Sequence, residues 1–277
     1  MGETARMIPL LRACHLQPTL AVTAITTALA ISAGRGSGSI WVALAALSGQ
    51  FSVGWSNDYL DRDRDHLAGR VDKPIVSGGV SARSVGIAAV IAAVTCIPLS
   101  MLSGWRAGSI HLAAVAVAWA YNGWLKLTVA SGVPFTLAFG ALPAFVTLGL
   151  PEHLWPPWWA TVAAALMGAA AHFVNTLPDF DDDAATGVRG LSHRIGPRAS
   201  LFLGGMFMTG ATVVLALAGP SGPTLLGSIL IGTAMAAVLA VVVAGLTGHL
   251  RAAWSLTLCA AALNVAVIIA SGESLAV

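Results

Sequence analysis

Charge is scarce in this chain of 277 residues: Asp, Glu, Lys and Arg together make up 9% of it, against roughly 25% in an ordinary soluble domain. With a hydrophobic fraction of 57% and a mean hydropathy of +0.82, water is excluded as its main solvent. A surplus of positive charge is also missing. The net charge is +2 and no long basic run occurs, so the sequence offers no electrostatic footprint for nucleic acid. Cysteine is scarce, and Cys14, Cys96 and Cys259 have neither CxxC nor Cys/His spacing. That argues against a disulfide framework or a zinc site and leaves them as small buried residues of separate spans. Linkers are absent too. No Ser/Pro-rich or charged stretch divides the chain, and a single domain over residues 1–277 is expected.

What is abundant is apolar length. A membrane crossing needs about 20 apolar residues, and such windows fall at 17–34, 39–56, 83–103, 108–126, 132–150, 157–178, 199–218, 223–247 and 252–271. The expected fold is therefore all-α, with nine transmembrane helices. Arg6 and Arg12 precede the first window as they would in a secretory leader, but further windows follow at once, and the first is read as an uncleaved helix. Turn-forming links at 34–38, 104–108, 151–157 and 219–223 suit antiparallel neighbours. Nine crossings put twelve of the fourteen basic residues on one face and only Arg35 and Arg106 on the other. Positive residues favour the cytoplasm, which places the N-terminus there.

Nine of the twelve acidic residues form two islands: Asp58, Asp61, Asp63, Asp65 and Asp72, then Asp179, Asp181, Asp182 and Asp183. They follow the second and sixth windows. The chain thus repeats a four-helix plan with an acidic segment at the same point of each half, plus a ninth helix, and both islands face the cytoplasm. Internally repeated membrane proteins commonly build their sites at the repeat interface, over a central cavity.

The first island reads NDYLDRDRDHLAGRVDKP over residues 57–74. On a helix, Asn57, Asp61 and Asp65 share one stripe at i, i+4, i+8. Oxygen donors so spaced suit Mg²⁺, which keeps several waters and is usually completed by substrate phosphate. Arg70 and Lys73 follow with positive charge for phosphate oxygens, the first as a bidentate fork and the second as a point charge. Asp63 is read as solvated, and the bland alternative is a salt-bridged loop. Calcium is disfavoured: Asp61, Asp63, Asp65 and Asp72 fall at EF-hand positions, but His66 stands where the sharp turn needs Gly. The second island, NTLPDFDDDAATGVRGLSHRIG over 175–196, again sets two carboxylates four apart, Asp179 and Asp183, where Pro178 breaks a helix. Asp181 and Asp182 point elsewhere on the wheel and are expected in solvent or in support.

NDYLDRDRD fits the NDxxDxxxD pattern of the UbiA superfamily of intramembrane prenyltransferases, and DFDDD followed by Gly187 fits its second DxxxD pattern. The segment RVDKPIVSGGVS also looks like the stretch after the first motif in chlorophyll synthases and homogentisate prenyltransferases, with Lys73 where Arg is common. The resemblance implies a nine-helix bundle around a cavity open sideways to lipid. It implies Asn57, Asp58, Asp61, Asp65, Asp179 and Asp183 as ligands of two Mg²⁺ bridged by a prenyl diphosphate, with Asp61, Asp65, Asp179 and Asp183 carrying catalysis. Asp58 matches the motif, though its place on the wheel gives it a supporting role. Arg70, Lys73 and Lys126 would neutralise the leaving diphosphate, and Tyr121 matches a family Tyr that precedes the basic residue after helix four, with Asn122 departing from the usual Ser. Arg12, with His15 and Pro18, is similar to the Arg near the start of helix one.

The implied reaction is transfer of an isoprenyl group to a lipophilic, chiefly aromatic acceptor by ionisation to an allylic cation. Trp119, Tyr121 and Trp124 would shelter the cation, although Trp124 also reads as an interfacial belt residue. Seven residues before Asp179, His172 is expected on the same helix face and in contact with the acceptor. An intramembrane terpene cyclase fits the same motifs. A cation-coupled transporter suits repeated halves, but nearly all carboxylates sit at one face and leave no acidic relay across the membrane.

Overall fold

A computed structural model describes residues 3–219 and 225–270. The described residues form helices and no strand: α1 (Glu3–Arg12), α2 (Leu16–Ser32), α3 (Gly38–Leu67), α4 (Ala82–Met101), α5 (Trp105–Gly123), a 3₁₀ turn (Leu125–Leu127), α6 (Gly132–Gly140), α7 (Leu142–Thr147), α8 (Trp158–Asn175), α9 (Phe180–Ala185), α10 (Leu191–Ile195), α11 (Pro197–Ala218), α12 (Leu225–Leu246) and α13 (Leu250–Ala270). Among them α4, α11, α12 and α13 are long and apolar enough to cross a membrane, while α2 and the α6–α7 pair are shorter apolar segments. The expected window 132–150 is not one helix. Pro143 has no N–H to donate to the carbonyl four residues back, and the ladder is interrupted between α6 and α7. Windows 223–247 and 252–271 and the link 219–223 lie partly outside the described residues.

The helices pack in a ring. Helix α2 lies on α3, α3 on α5, α5 on α6, α6 on α8, α8 on α11, α11 on α12 and α13, and α13 returns to α2, with α4 against α3 and α5. Small side chains let the backbones approach: Ala30, Ala45, Ala107, Ala160 and Ala163 are buried around Phe145, which is fully enclosed. The large aliphatics point outward. Leu225, Ile229, Leu239 and Val243 on α12 and Val90, Ile91 and Val94 on α4 are all more than half exposed. A soluble protein would not keep faces of that size in water, whereas lipid tails are their natural solvent. The chain is an integral membrane protein.

Two contacts fix the corner between α1 and α2 against α3. The Trp55 indole N–H donates to the Leu10 carbonyl at 2.8 Å, and Gly54 abuts the Cys14 carbonyl so closely that a Cβ there would collide with it. Replacing Gly54 by Ala should push the corner away from α3 and lower stability by about 1–3 kcal/mol. Gly232→Ala is the matching control, since nothing lies within 4 Å of a Cβ at that site. Thermal unfolding of the two purified variants in detergent separates them: the first melts earlier and the second does not.

Candidate functional site

Helix α3 continues past its apolar window to Leu67, so Asp58, Asp61, Asp63 and Asp65 of the first acidic island lie on its last three turns, with Asp72 in the loop beyond. Asn57, Asp61 and Asp65 share a face as their spacing requires. Asn122 on α5 orients the first of them: its amide N–H groups donate to the Val53 carbonyl and the Ser56 hydroxyl, both at 2.8 Å, and its oxygen accepts from Asn57 Nδ2 at 3.2 Å. Asp61 receives the Lys126 ammonium on both oxygens and Arg64 Nη2 on one. Gly190 makes room for this arrangement, because a side chain there would press on the Lys126 carbonyl. Asp65 has no ion pair among the described residues, and burial holds its carboxyl above the usual range.

Asp58 turns away from that stripe. Only 2% of its side chain is exposed, and its Oδ1 accepts from Lys73 Nζ at 2.6 Å and from His15 Nε2 at 2.9 Å. Burial would raise its pKa, but the His15 hydrogen bond and the Lys73 charge outweigh burial and hold it below the ordinary value. Lys73 is thus paired within the protein. His15 sits in the left-handed region, with φ 54°, an uncommon conformation for a residue with a side chain. Its part in this cluster was invisible in the sequence, where it is one histidine beyond α1.

Helix α8 stops at Asn175, and after Pro178 the chain restarts as α9, with Asp183 N–H donating to the Asp179 carbonyl at 2.9 Å. The break corrects one expectation: His172 and Asp179 are not on a common helix, so their sevenfold spacing gives them no common face. His172 is buried, with Nε2 at 3.2 Å from the hydroxyls of both Ser131 and Ser192, and it stands behind Tyr121 and Phe135. Arg70 joins the islands. It is 3.0 Å from Asp179 and 3.6 Å from Asp182 while its fork grips Asp72 at 3.1 Å. Asp61, Asp65, Asp182 and Asp183 then line one cleft, which brings Asp182 closer to the centre than its wheel position suggested. Asp181 is exposed. Burial, reinforced by Asp179, pushes the Asp183 carboxyl up to about 6.

Beside this cleft a cavity of about 170 Å³ opens between α3, α5 and α6, several times the roughly 30 Å³ share of one water. Its rim is polar, with His15, Asn57 and Asn175, and its wall is mostly apolar, with Gly54, Phe135 and Phe139 beside Thr19 and Gln50. Tyr121 lies edge-on to Phe135 at 5.0 Å. Arg12 is exposed at the end of α1, Trp119 donates to Ser52 at 3.2 Å, and Trp124 is 60% exposed outside the cavity.

Residues 18–272 match the model of the UbiA prenyltransferase family. The chain belongs to that family. UbiA-type structures share its fold: an apo UbiA homolog from Aeropyrum pernix K1 superposes with a TM-score of 0.70 at 20% identity, covering 91% of this chain and 97% of the other. A UbiA homolog from Archaeoglobus fulgidus bound to GPP and Mg²⁺ gives 0.68 at 16% identity, covering 94% and 99%. In sequence, the 4-hydroxybenzoate octaprenyltransferase of Salmonella paratyphi B is 26% identical over 165 residues, 59% of this chain and 57% of the relative. The chain therefore spans a little over half the length of the curated relatives it matches.

The donor set of this UbiA-family site fits a hard divalent cation shared with a ligand. Every candidate donor is oxygen, and no three His, Cys, Asp or Glu among the described residues converge into a cage. Burial holds Asp65 and Asp183 above their usual range despite Lys73, Arg70, Lys126 and Arg64 nearby. A cation completed by phosphate oxygens would favour their charged forms without an all-protein cage. The Asp58 cluster makes a separate prediction. Asp58→Asn leaves the buried Lys73 ammonium unpaired and should destabilise the protein by about 3–5 kcal/mol, whereas Asp63→Asn, at a side chain 80% exposed, should cost almost nothing. Comparing their melting temperatures in one detergent checks this.

Proposed function

We propose that the protein is a Mg²⁺-dependent intramembrane prenyltransferase that moves an isoprenyl group from a prenyl diphosphate to an aromatic or other lipophilic acceptor. One observation carries the reading: two acidic islands far apart in sequence meet in a single cleft beside an apolar cavity, with Arg70 between them. Family membership supports it. The GPP and Mg²⁺ of the Archaeoglobus fulgidus homolog support the donor and the ion, and the 4-hydroxybenzoate of the Salmonella relative's name supports an aromatic acceptor. In this reading residues 1–277 are one domain with nine crossings in two four-helix pseudo-repeats plus a ninth helix. The N-terminus and both motifs are cytoplasmic. Arg35, which reaches the Val146 carbonyl at the opposite end of the bundle, agrees with that orientation.

Asn57, Asp61, Asp65, Asp179 and Asp183 would hold Mg²⁺, two ions in this reading, together with the diphosphate, and Asp58 supports them by fixing Lys73 and His15. Bound Mg²⁺ supplies the Lewis-acid charge that makes diphosphate a good leaving group. The protein's cations complete it: Lys126 and Arg64 exchange Asp61 for phosphate oxygens, and Arg70 presents its fork, with Lys73 behind. The allylic C–O bond breaks with its electron pair going to the diphosphate, an acceptor carbon or heteroatom bonds to the allylic carbon, and the acceptor gives up a proton. Tyr121, Phe135 and Phe139 exclude water and offer ring faces to the cation. Neither Arg12, exposed at the end of α1, nor His172, buried behind Tyr121 and Phe135, lines the cavity, and His172 acts on the acceptor side only by positioning Tyr121.

Purified protein in detergent with Mg²⁺ and prenyl diphosphates of several lengths should release diphosphate and, with 4-hydroxybenzoate or other aromatic acceptors, give a prenylated product by mass. Asp61→Asn and Asp183→Asn should each lower turnover by about 10²–10³, and EDTA should abolish it. A cyclic hydrocarbon formed without acceptor would replace the transferase reading by a cyclase. Silence with every donor and acceptor would sink both.

A further inference from the structure

Three residues of the first motif segment do not face the cleft. Tyr59, Arg62 and Asp63 lie on the outer side of α3, where α3 and α4 enclose a groove of about 530 Å³ lined by Tyr59, Arg62, Arg83, Ile87, Val90 and Ile91. Gly86 shapes it. A Cβ there would stand 2.9 Å from the Tyr59 ring, so the missing side chain lets the tyrosine lie against α4. Arg62 is fixed over that ring at 4.7 Å and donates to the Tyr59 carbonyl at 2.8 Å. Its only carboxylate contact among the described residues is Asp63 at 3.4 Å, a side chain 80% exposed, and a surface pair of that kind neutralises little. Arg83 is exposed and makes no ion pair among the described residues. Among the described residues, the other end of the groove is lined by no polar side chain. Ile87, Val90 and Ile91 are 50–60% exposed and run into the outward apolar face of α4.

We propose that this groove binds an anionic phospholipid, its phosphate between Arg62 and Arg83 and an acyl chain along Ile87, Val90 and Ile91. Charge complementarity selects an anion, and the aliphatic lower wall selects one with a hydrocarbon tail. A soluble phosphate would leave that wall bare, while a zwitterionic lipid would gain less from two arginines. The order of the groove, basic at the motif end and apolar toward the membrane interior, matches a lipid of the leaflet on the motif side. This site is separate from the cleft and does not depend on the proposed reaction.

Native mass spectrometry of the full, delipidated protein with phosphatidylglycerol or phosphatidylcholine of the same chains tests it. Each arginine near a net-anionic headgroup is worth about fivefold over a neutral one, so the anionic lipid should bind at least about tenfold more tightly. Arg62→Gln/Arg83→Gln should erase that preference, and Arg83→Gln alone, at an exposed position that folding does not need, should reduce it by about fivefold. Arg251→Gln, an exposed basic residue away from the groove, should keep it. Equal binding of the two lipids by the unaltered protein, a preference that survives in both groove variants, or one lost equally in Arg251→Gln would overturn the proposal.

Discussion

Carboxylates at the edge of a greasy bundle must find positive partners, and the motif end of this protein is organised by that requirement. Asp58 takes Lys73 and His15, Asp61 takes Lys126 and Arg64, and Asp179 takes Arg70. Apart from Asp61–Arg64, which lies within α3, each pair joins α3 or the start of α9 to a different segment: the loop after α3, the turn after α5, or the corner after α1. Charge pairing here is therefore tertiary structure. Taking such ions out of water costs several kcal/mol apiece, and only close mutual contact offsets it. Asp65 has no such partner among the described residues and Asp183 has His193 at 3.6 Å, and burial holds both carboxyls above their usual range.

The same clamp shapes the cavity beside it. His15 lines the rim because Asp58 and Lys73 hold it there, and the α1–α2 corner reaches α3 only because residue 54 has no side chain. On the other wall Asn122 spends its whole amide on α3, which ties the orientation of Asn57 to the packing of α3 against α5. An opening polar at one end and apolar along its wall suits a molecule that is itself charged at one end and greasy along the rest.

Outside the ring the physics reverses. The helices show Leu, Ile and Val to lipid and keep Ala and Gly for one another, since lipid gives no hydrophobic reward for burying a large aliphatic and close backbone approach supplies the packing instead. Polar exceptions on this surface, such as Arg62 and Arg83, are for that reason informative.

Much of this was legible in the letters. Apolar windows announced helices and a membrane solvent, and the spacing of Asn57, Asp61 and Asp65, and of Asp179 and Asp183, announced two oxygen-rich half-sites, because helical periodicity is a local property that a single segment carries. The length of α3 beyond its apolar part followed from the same periodicity. The break between α6 and α7 was signalled by Pro143 but concealed by an unbroken run of hydrophobic residues. What no local pattern encodes is who meets whom. That Asp58 leaves the motif to hold Lys73, that Arg70 spans the islands, that Asn122 grips Asn57, and that His172 is buried behind Tyr121 are through-space facts. They depend on where the ring of helices closes, and the closing contact of α13 on α2 joins the two ends of the sequence, so it exists only once the whole chain has packed.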